Sequence, residues 1–173
     1  AFQNRFGPER LKSLDGEALL NLMHDLGNRD SLVYWLAFKN DEEFPALFGG
    51  IGARSALVFR IYRRKETGAW MTGSSLGQRE LKLDEAVRYA RIHRDELVRG
   101  AELLATLPDN AGDAEYQRLQ EQMNAVAPTI SNLAWGHKYF YLLHPDRLDD
   151  FHNPDYQRFH LIRLLQTPPE GQG

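Results

Sequence analysis

The chain contains no cysteine. Disulfides, thiol nucleophiles and thiolate metal sites are excluded by that absence alone. A reducing compartment, the cytoplasm, is the expected setting. No apolar run approaches the roughly 18 residues that a bilayer span requires, so no membrane association is expected. The opening AFQNRFGPER lacks the apolar stretch of a secretory leader, and export is not expected either. A phosphate-binding loop needs a glycine-rich turn followed by lysine and a hydroxyl; neither GGIGAR nor GSSLGQR supplies the lysine. There is no Gly-x-Ser-x-Gly elbow. Glu80-Leu81-Lys82 has the tripeptide of one nuclease type. Its Pro-Asp partners (108–109, 145–146, 154–155) all follow it and read as turns. Charge of one sign is also lacking: 21 basic against 24 acidic residues give a net −3. That balance excludes a chain that coats nucleic acid by bulk charge and leaves a local basic patch open.

The 173 residues suit a single domain, 42% hydrophobic and 26% charged, in the range of ordinary globules. Residues 1–28 read as helical. Pro8 stands in a first turn, Leu11, Leu14, Leu19, Leu22 and Met23 recur at three- and four-residue steps, and Gly27-Asn28 forms a stop. Residues 31–73 read as strands and a glycine loop. SLVYWLAF, 31–38, is aromatic and apolar and is expected to be a strand. Pro45 with Gly49, Gly50 and Gly52 marks a loop whose backbone N–H groups can approach an anion. ALVFRIYRR, 56–64, alternates, with Leu57, Phe59 and Ile61 on one face and Val58, Arg60, Tyr62 and Arg64 on the other. Lys65 to Gly68 reads as a hairpin loop, and 69–72 as the returning strand.

From Asp84 the period becomes helical. Ala86, Val87, Ala90, His93, Leu97, Ala101 and Leu104 form one stripe, and Arg88, Arg91, Arg94 and Arg99 lie among acids on an exposed, salt-bridged face. A polar helix over 113–126 follows, then an aromatic one from Pro128 to Leu143, with Trp135, Tyr139 and Phe140 as core. A last helix over 155–166 is expected to turn Phe159, Ile162 and Leu165 inward. Residues 167–173 read as a linker or a truncation point. The order predicts an α+β fold, a small antiparallel sheet between an N-terminal helical segment and a C-terminal bundle of about four helices.

The late histidines 137, 144, 152 and 160 are seven and eight residues apart, a spacing that builds no metal-binding helix pair. His137 and His160 read as packed positions. An enzyme using His137, Asp150 and His152 is the weakest reading. No catalytic residue, metal or cofactor is therefore expected. The sharper signal is cationic. Arg54, Arg60, Arg63, Arg64 and Lys65 put five positive charges and no negative one between positions 54 and 65. Guanidinium forks match phosphate oxygens. Trp35, Tyr62 and Trp70 offer rings on which a base could stack. The bland alternative is a solvated sheet edge guarded by charge.

Two stretches carry a resemblance. One runs through Tyr34-Trp35-Leu36 to Gly49-x-Ile51-Gly52-x-x-Ser55-Ala56-Leu57-x-Phe59-x-Ile61-Tyr62. The other holds Trp135-x-His137-Lys138-Tyr139, Leu142-Leu143, Pro145-Asp146, Phe151-His152 and Gln157-x-x-His160. Over about half the chain they resemble the N-terminal modules of McrB-like AAA+ restriction proteins. The resemblance implies a non-catalytic module that selects DNA, often with a modified cytosine. It also implies an AAA+ motor in the same chain and a separate nuclease subunit. On this reading Arg54, Arg60, Arg63, Arg64 and Lys65 hold phosphates, and Gly49, Gly50 and Gly52 approach the backbone. The alternative is a module that docks the ring to a partner subunit or a phage protein through the late aromatic helices.

Overall fold

The computed structural model describes residues 2–39, 56–74, 76–149 and 154–165. Three short helices open it: α1 (Phe2–Phe6), α2 (Pro8–Lys12) and α3 (Gly16–His24). Pro8 starts α2, where its missing N–H costs nothing. Asp15 caps α3 by accepting from the Gly16 N–H at 2.7 Å. Then comes α4 (Leu32–Tyr34), which runs on as a π-helical turn over Trp35–Lys39.

That last element corrects the expected strand at 31–38. The Ser31 hydroxyl caps it, accepting from the Tyr34 N–H at 3.2 Å. Leu32, Val33, Leu36 and Ala37 are all buried. Their offsets of four place two pairs on one helical face, a period that the flanking aromatics mask in the sequence.

A 3₁₀ turn (Ala56–Phe59) leads into a three-stranded antiparallel sheet: β1 (Ile61–Arg63), β2 (Trp70–Ser74) and β3 (Gly77–Leu81), in that order. The expected long alternating strand over 56–64 is thus mostly not a strand. Arg60 stands between turn and strand at φ 67°, a left-handed conformation that disfavours any side chain by roughly 1 kcal/mol or more. The Thr72 hydroxyl donates to its carbonyl oxygen at 2.9 Å and holds the kink. The hairpin loop over Lys65–Gly68 is as read from the sequence. Arg64 N donates to Ala69 O and Gly68 N to Arg64 O, both at 2.8 Å. The returning strand expected over 69–72 runs on to Ser74, and β3 was not expected from the sequence. Gly73, at φ 122°, makes the turn possible: a Cβ there would stand 2.1 Å from the Gly77 oxygen.

The centre of the molecule is α5 (Leu83–Ala105), which packs on α2, α3, the sheet, α6 (Asp113–Val126) and α7 (Ala134–Leu143). Every residue of its expected stripe is buried. Glu85 anchors its first turn, accepting from Lys82 N at 3.4 Å and from Arg79 Nη1 through both oxygens at 3.1 Å. Its arginines pair differently from the expected ladder along one helix. Arg91 reaches across to Asp15 with two bonds, Nε–Oδ1 2.7 Å and Nη2–Oδ2 3.0 Å, and Arg94 Nη1 donates to the Leu14 carbonyl at 3.1 Å. These contacts tie the N-cap of α3 to α5. The Arg91 guanidinium, with help from the Gly16 N–H, holds the Asp15 carboxyl down at about 2.

The aromatic helix α7 starts at Ala134, not near Pro128. The buried carboxylate of Glu96 holds the preceding segment in a turn, accepting from Thr129 N at 2.9 Å and from Thr129 Oγ1 at 2.6 Å. Trp135, Tyr139 and Phe140 are core, as expected, and Tyr139 Oη donates to the Phe6 carbonyl at 2.8 Å. The last helix, α8 (Pro154–Leu165), departs from expectation. Phe159 and Ile162 are exposed rather than inward, as are Leu161 and Leu164, while the Leu165 side chain lies outside the described residues. The fold is α+β, as predicted, although one of its three strands comes from a different part of the sequence than expected.

Candidate nucleic-acid interface

The sheet has two unlike faces. Ile61, Trp70 and Leu81 alternate onto one face and join the main core. Tyr62 and Met71, paired across the hairpin, are buried on the opposite face. Tyr62 Oη donates to Gln78 Oε1 at 2.5 Å across the strands. With both faces occupied, the cations are pushed to the hairpin's tip and base.

Arg60 is exposed at the base, at the kink that precedes β1. Of the face expected for Arg60, Tyr62 and Arg64, the last two meet at Gln78 Oε1. Arg63 is the cation that the fold satisfies internally. Its Nη1 donates to Asp25 Oδ2 at 3.1 Å, its Nε to the Gly68 carbonyl at 3.0 Å, and its guanidinium lies 5.8 Å from the Trp70 ring centre. Asp25 follows α3, 38 positions back in sequence. Among the described residues Arg64 has a neutral partner, Gln78 Oε1 at 3.5 Å. Lys65 is exposed in the turn beside Glu66. Among the described residues, Arg60, Arg64 and Lys65 have no carboxylate within ion-pair distance. Arg54, Gly49, Gly50 and Gly52 lie outside the described residues.

The stacking candidates fare differently. Trp35, Tyr62 and Trp70 retain only 8%, 9% and 7% of their surface, so none presents an open ring face to a base. Arg63 covers Trp70, and Arg5 and Lys39 approach the Trp35 ring at 5.6 and 4.5 Å. These three rings serve the core and cation–π contacts, and the expected stacking role is corrected accordingly.

Two arrangements had no signal in the sequence. The first is the approach of Arg5 from α1 and Lys39 from the π turn to the Trp35 ring. The second is a buried pair of imidazoles: His93 Nδ1 lies 3.2 Å from His24 Nε2, with Trp135 packed against both rings. Burial pushes His24 well below the ordinary histidine value. Burial, reinforced by the Arg60 charge, pushes His93 down to about 4. The His93 position in the apolar stripe was legible; its partner, 69 residues away, was not.

Of the late histidines, His137 Nε2 donates to the Asp149 carbonyl at 2.8 Å, whereas Asp150 and His152 lie outside the described residues. No group of three or more His, Asp or Glu among the described residues is placed to hold a metal. No described helix is long and apolar enough to cross a membrane. No protein-family model, curated protein or solved structure matches this chain.

Proposed function

We propose that the chain is a DNA-binding module that grips phosphates with the β1–β2 hairpin, as the resemblance to McrB-like N-terminal modules implies. The observation that carries the reading is the set of unneutralised cations there. Arg60, Arg64 and Lys65 are without carboxylate partners among the described residues, whereas Arg63, Arg79 and Arg91 are each tied to one. A guanidinium or ammonium group without a carboxylate partner keeps its attraction for a polyanion. With the rings buried, the grip is on the backbone and not on an extruded base. It positions DNA without reading sequence by itself. Selection of a modified cytosine then belongs to residues other than these three rings.

The experiment is fluorescence anisotropy on methylated and unmodified duplexes over a salt series, with Arg64→Glu/Lys65→Glu beside the parent. The double variant is expected to bind at least about tenfold more weakly and to lower the salt slope by about two units. Unchanged affinity and slope exclude the hairpin as the contact.

A second reading has its own observation. Phe159, 54% exposed, and Leu164, 80% exposed, share α8 with exposed Leu161 and Ile162. An apolar helix on the surface suits docking to a protein, such as a partner subunit of an AAA+ assembly. Absence of binding to every duplex at low salt favours it. On α7, Trp135, Tyr139, Phe140 and Leu143 are core, so the exposed side chains of α8 carry this reading.

A further inference from the structure

The surround of Trp35 has no part in the hairpin reading. Asn4 and Arg5 from α1, Arg10 from α2, Leu22 from α3 and Trp35 line a cavity of about 370 Å³. That volume is near the lower end of the range for small-molecule sites, roughly 300–1,000 Å³. Lys39 joins from the π turn, its Nζ 4.5 Å from the Trp35 ring centre, and Arg5 Cζ lies 5.6 Å from it. Two cations thus approach one indole while Arg10 lines the same cavity, and among the described residues the ion pair these three make is Arg5 Nη2 to Asp30 Oδ1 at 2.7 Å. Arg10 and Lys39 have no carboxylate within reach among the described residues. The indole Nε1 is itself buried without an acceptor.

Like charges brought together repel, and a cation–π contact at a partly exposed site returns only about 0.5–1 kcal/mol. Among the described residues the arrangement holds two more cations than carboxylates, and Asn4 lines the same concavity. A ligand carrying two negative charges on a compact tetrahedral group balances that excess, and arginine forks match its oxygens in pairs. We infer that the cavity walled by Asn4, Arg5, Arg10 and Trp35, with Lys39 over the ring, is a binding site for a phosphate monoester dianion. Its source is either a free phosphorylated metabolite or the terminal phosphate of a larger molecule, and both present the same group. Internal phosphodiesters of DNA carry a single charge and fit the excess poorly. The site is therefore distinct from the hairpin contact.

Isothermal titration of the whole chain with inorganic phosphate at pH 8 and low salt tests this. The arms are inorganic phosphate, a nucleoside 5′-monophosphate, and duplexes with 5′-phosphate or 5′-hydroxyl ends competing for the site. Saturable one-site binding is expected, weakened at least about tenfold in Arg10→Glu and in Lys39→Glu, retained in Arg10→Lys, and unchanged in Arg99→Glu. Displacement by the monophosphate alone assigns a free metabolite; displacement also by the 5′-phosphorylated duplex assigns a terminal phosphate. Circular dichroism melts establish that the variants are folded, and the neutral pair Arg10→Gln and Lys39→Gln repeats the measurement if a reversal unfolds the chain. Absence of saturable binding, equal binding by the folded variants, or equal displacement by the hydroxyl-ended duplex overturns the inference. Because Arg64→Glu/Lys65→Glu reports on the hairpin, either site can fail without the other.

Discussion

At the scale of single residues, the most consequential pair is His24 and His93. Both imidazoles are buried and neutral in the fold, 3.2 Å apart, with Arg60 close enough to oppose a charge on His93. In the unfolded chain each takes up a proton near its ordinary value of about 6.5. The folded values are depressed, so the stability they allow is fully present above about pH 6.5. It is lost as the pH falls toward the folded value of about 4 for His93. With two protons bound only on unfolding, the loss approaches about 3 kcal/mol per pH unit between those limits. Urea denaturation from pH 7.5 to 4.5 should show the midpoint falling steeply below 6.5. His24→Leu/His93→Leu should flatten that limb. Asp15 adds a later contribution of the same sign. Its carboxyl is held at about 2 by Arg91, so its stabilisation is present above the unfolded value of 3.8 and is lost as the pH falls through the folded one.

At the scale of elements, α5 works because one position on it has no side chain. Gly100 faces α6 and α7 where both press closest. A Cβ there would stand 2.4 Å from Phe140 Cζ and 3.0 Å from Met123 Sδ. Gly100→Ala gains about 1 kcal/mol of helix propensity and forces a buried ring and a thioether apart, at a cost of about 1–3 kcal/mol or more. The net expected outcome is a lower thermal midpoint, and Phe140→Leu in the same background should restore part of it. The elements also show what a periodic pattern can and cannot carry. The stripe on α5 was legible because 23 residues repeat one period against one core. The segment 31–38 was not, since eight mostly apolar residues fit a strand or a buried helix equally. A cap at Ser31 and the packing of Leu32 and Leu36 decided it. The kink at Arg60 was equally invisible, for a positive φ at arginine has no sequence signature.

At the scale of the whole molecule, a net charge of −3 confines polyanion binding to local patches. If the hairpin cations Arg60, Arg64 and Lys65 are the contact, about three phosphates are neutralised. The slope of log affinity against log salt should then be about −3 for duplex DNA. Anisotropy between 25 and 200 mM salt measures it. A slope near −6 or steeper would mean that cations beyond the hairpin take part. Arg54 lay in the expected cluster outside the described residues, and a slope close to −4 would include it.

Composition and local pattern by themselves determined the α+β class, the long central helix, the Lys65–Gly68 hairpin loop and the aromatic core of α7. Each rests on short-range geometry or on repeated burial along one element, which a linear string records. Tertiary structure alone decided which cations stay unpaired, that Trp35, Tyr62 and Trp70 are buried, and that Phe159 and Ile162 are not. It alone brought Arg5 and Lys39 to one indole, with Arg10 in the same cavity, and set His24 against His93. Charge pairing and burial depend on which distant residue arrives within a few ångströms: Asp25 reaches Arg63 across 38 positions and His24 meets His93 across 69. Such meetings are set by how the helices pack, not by any spacing along the chain.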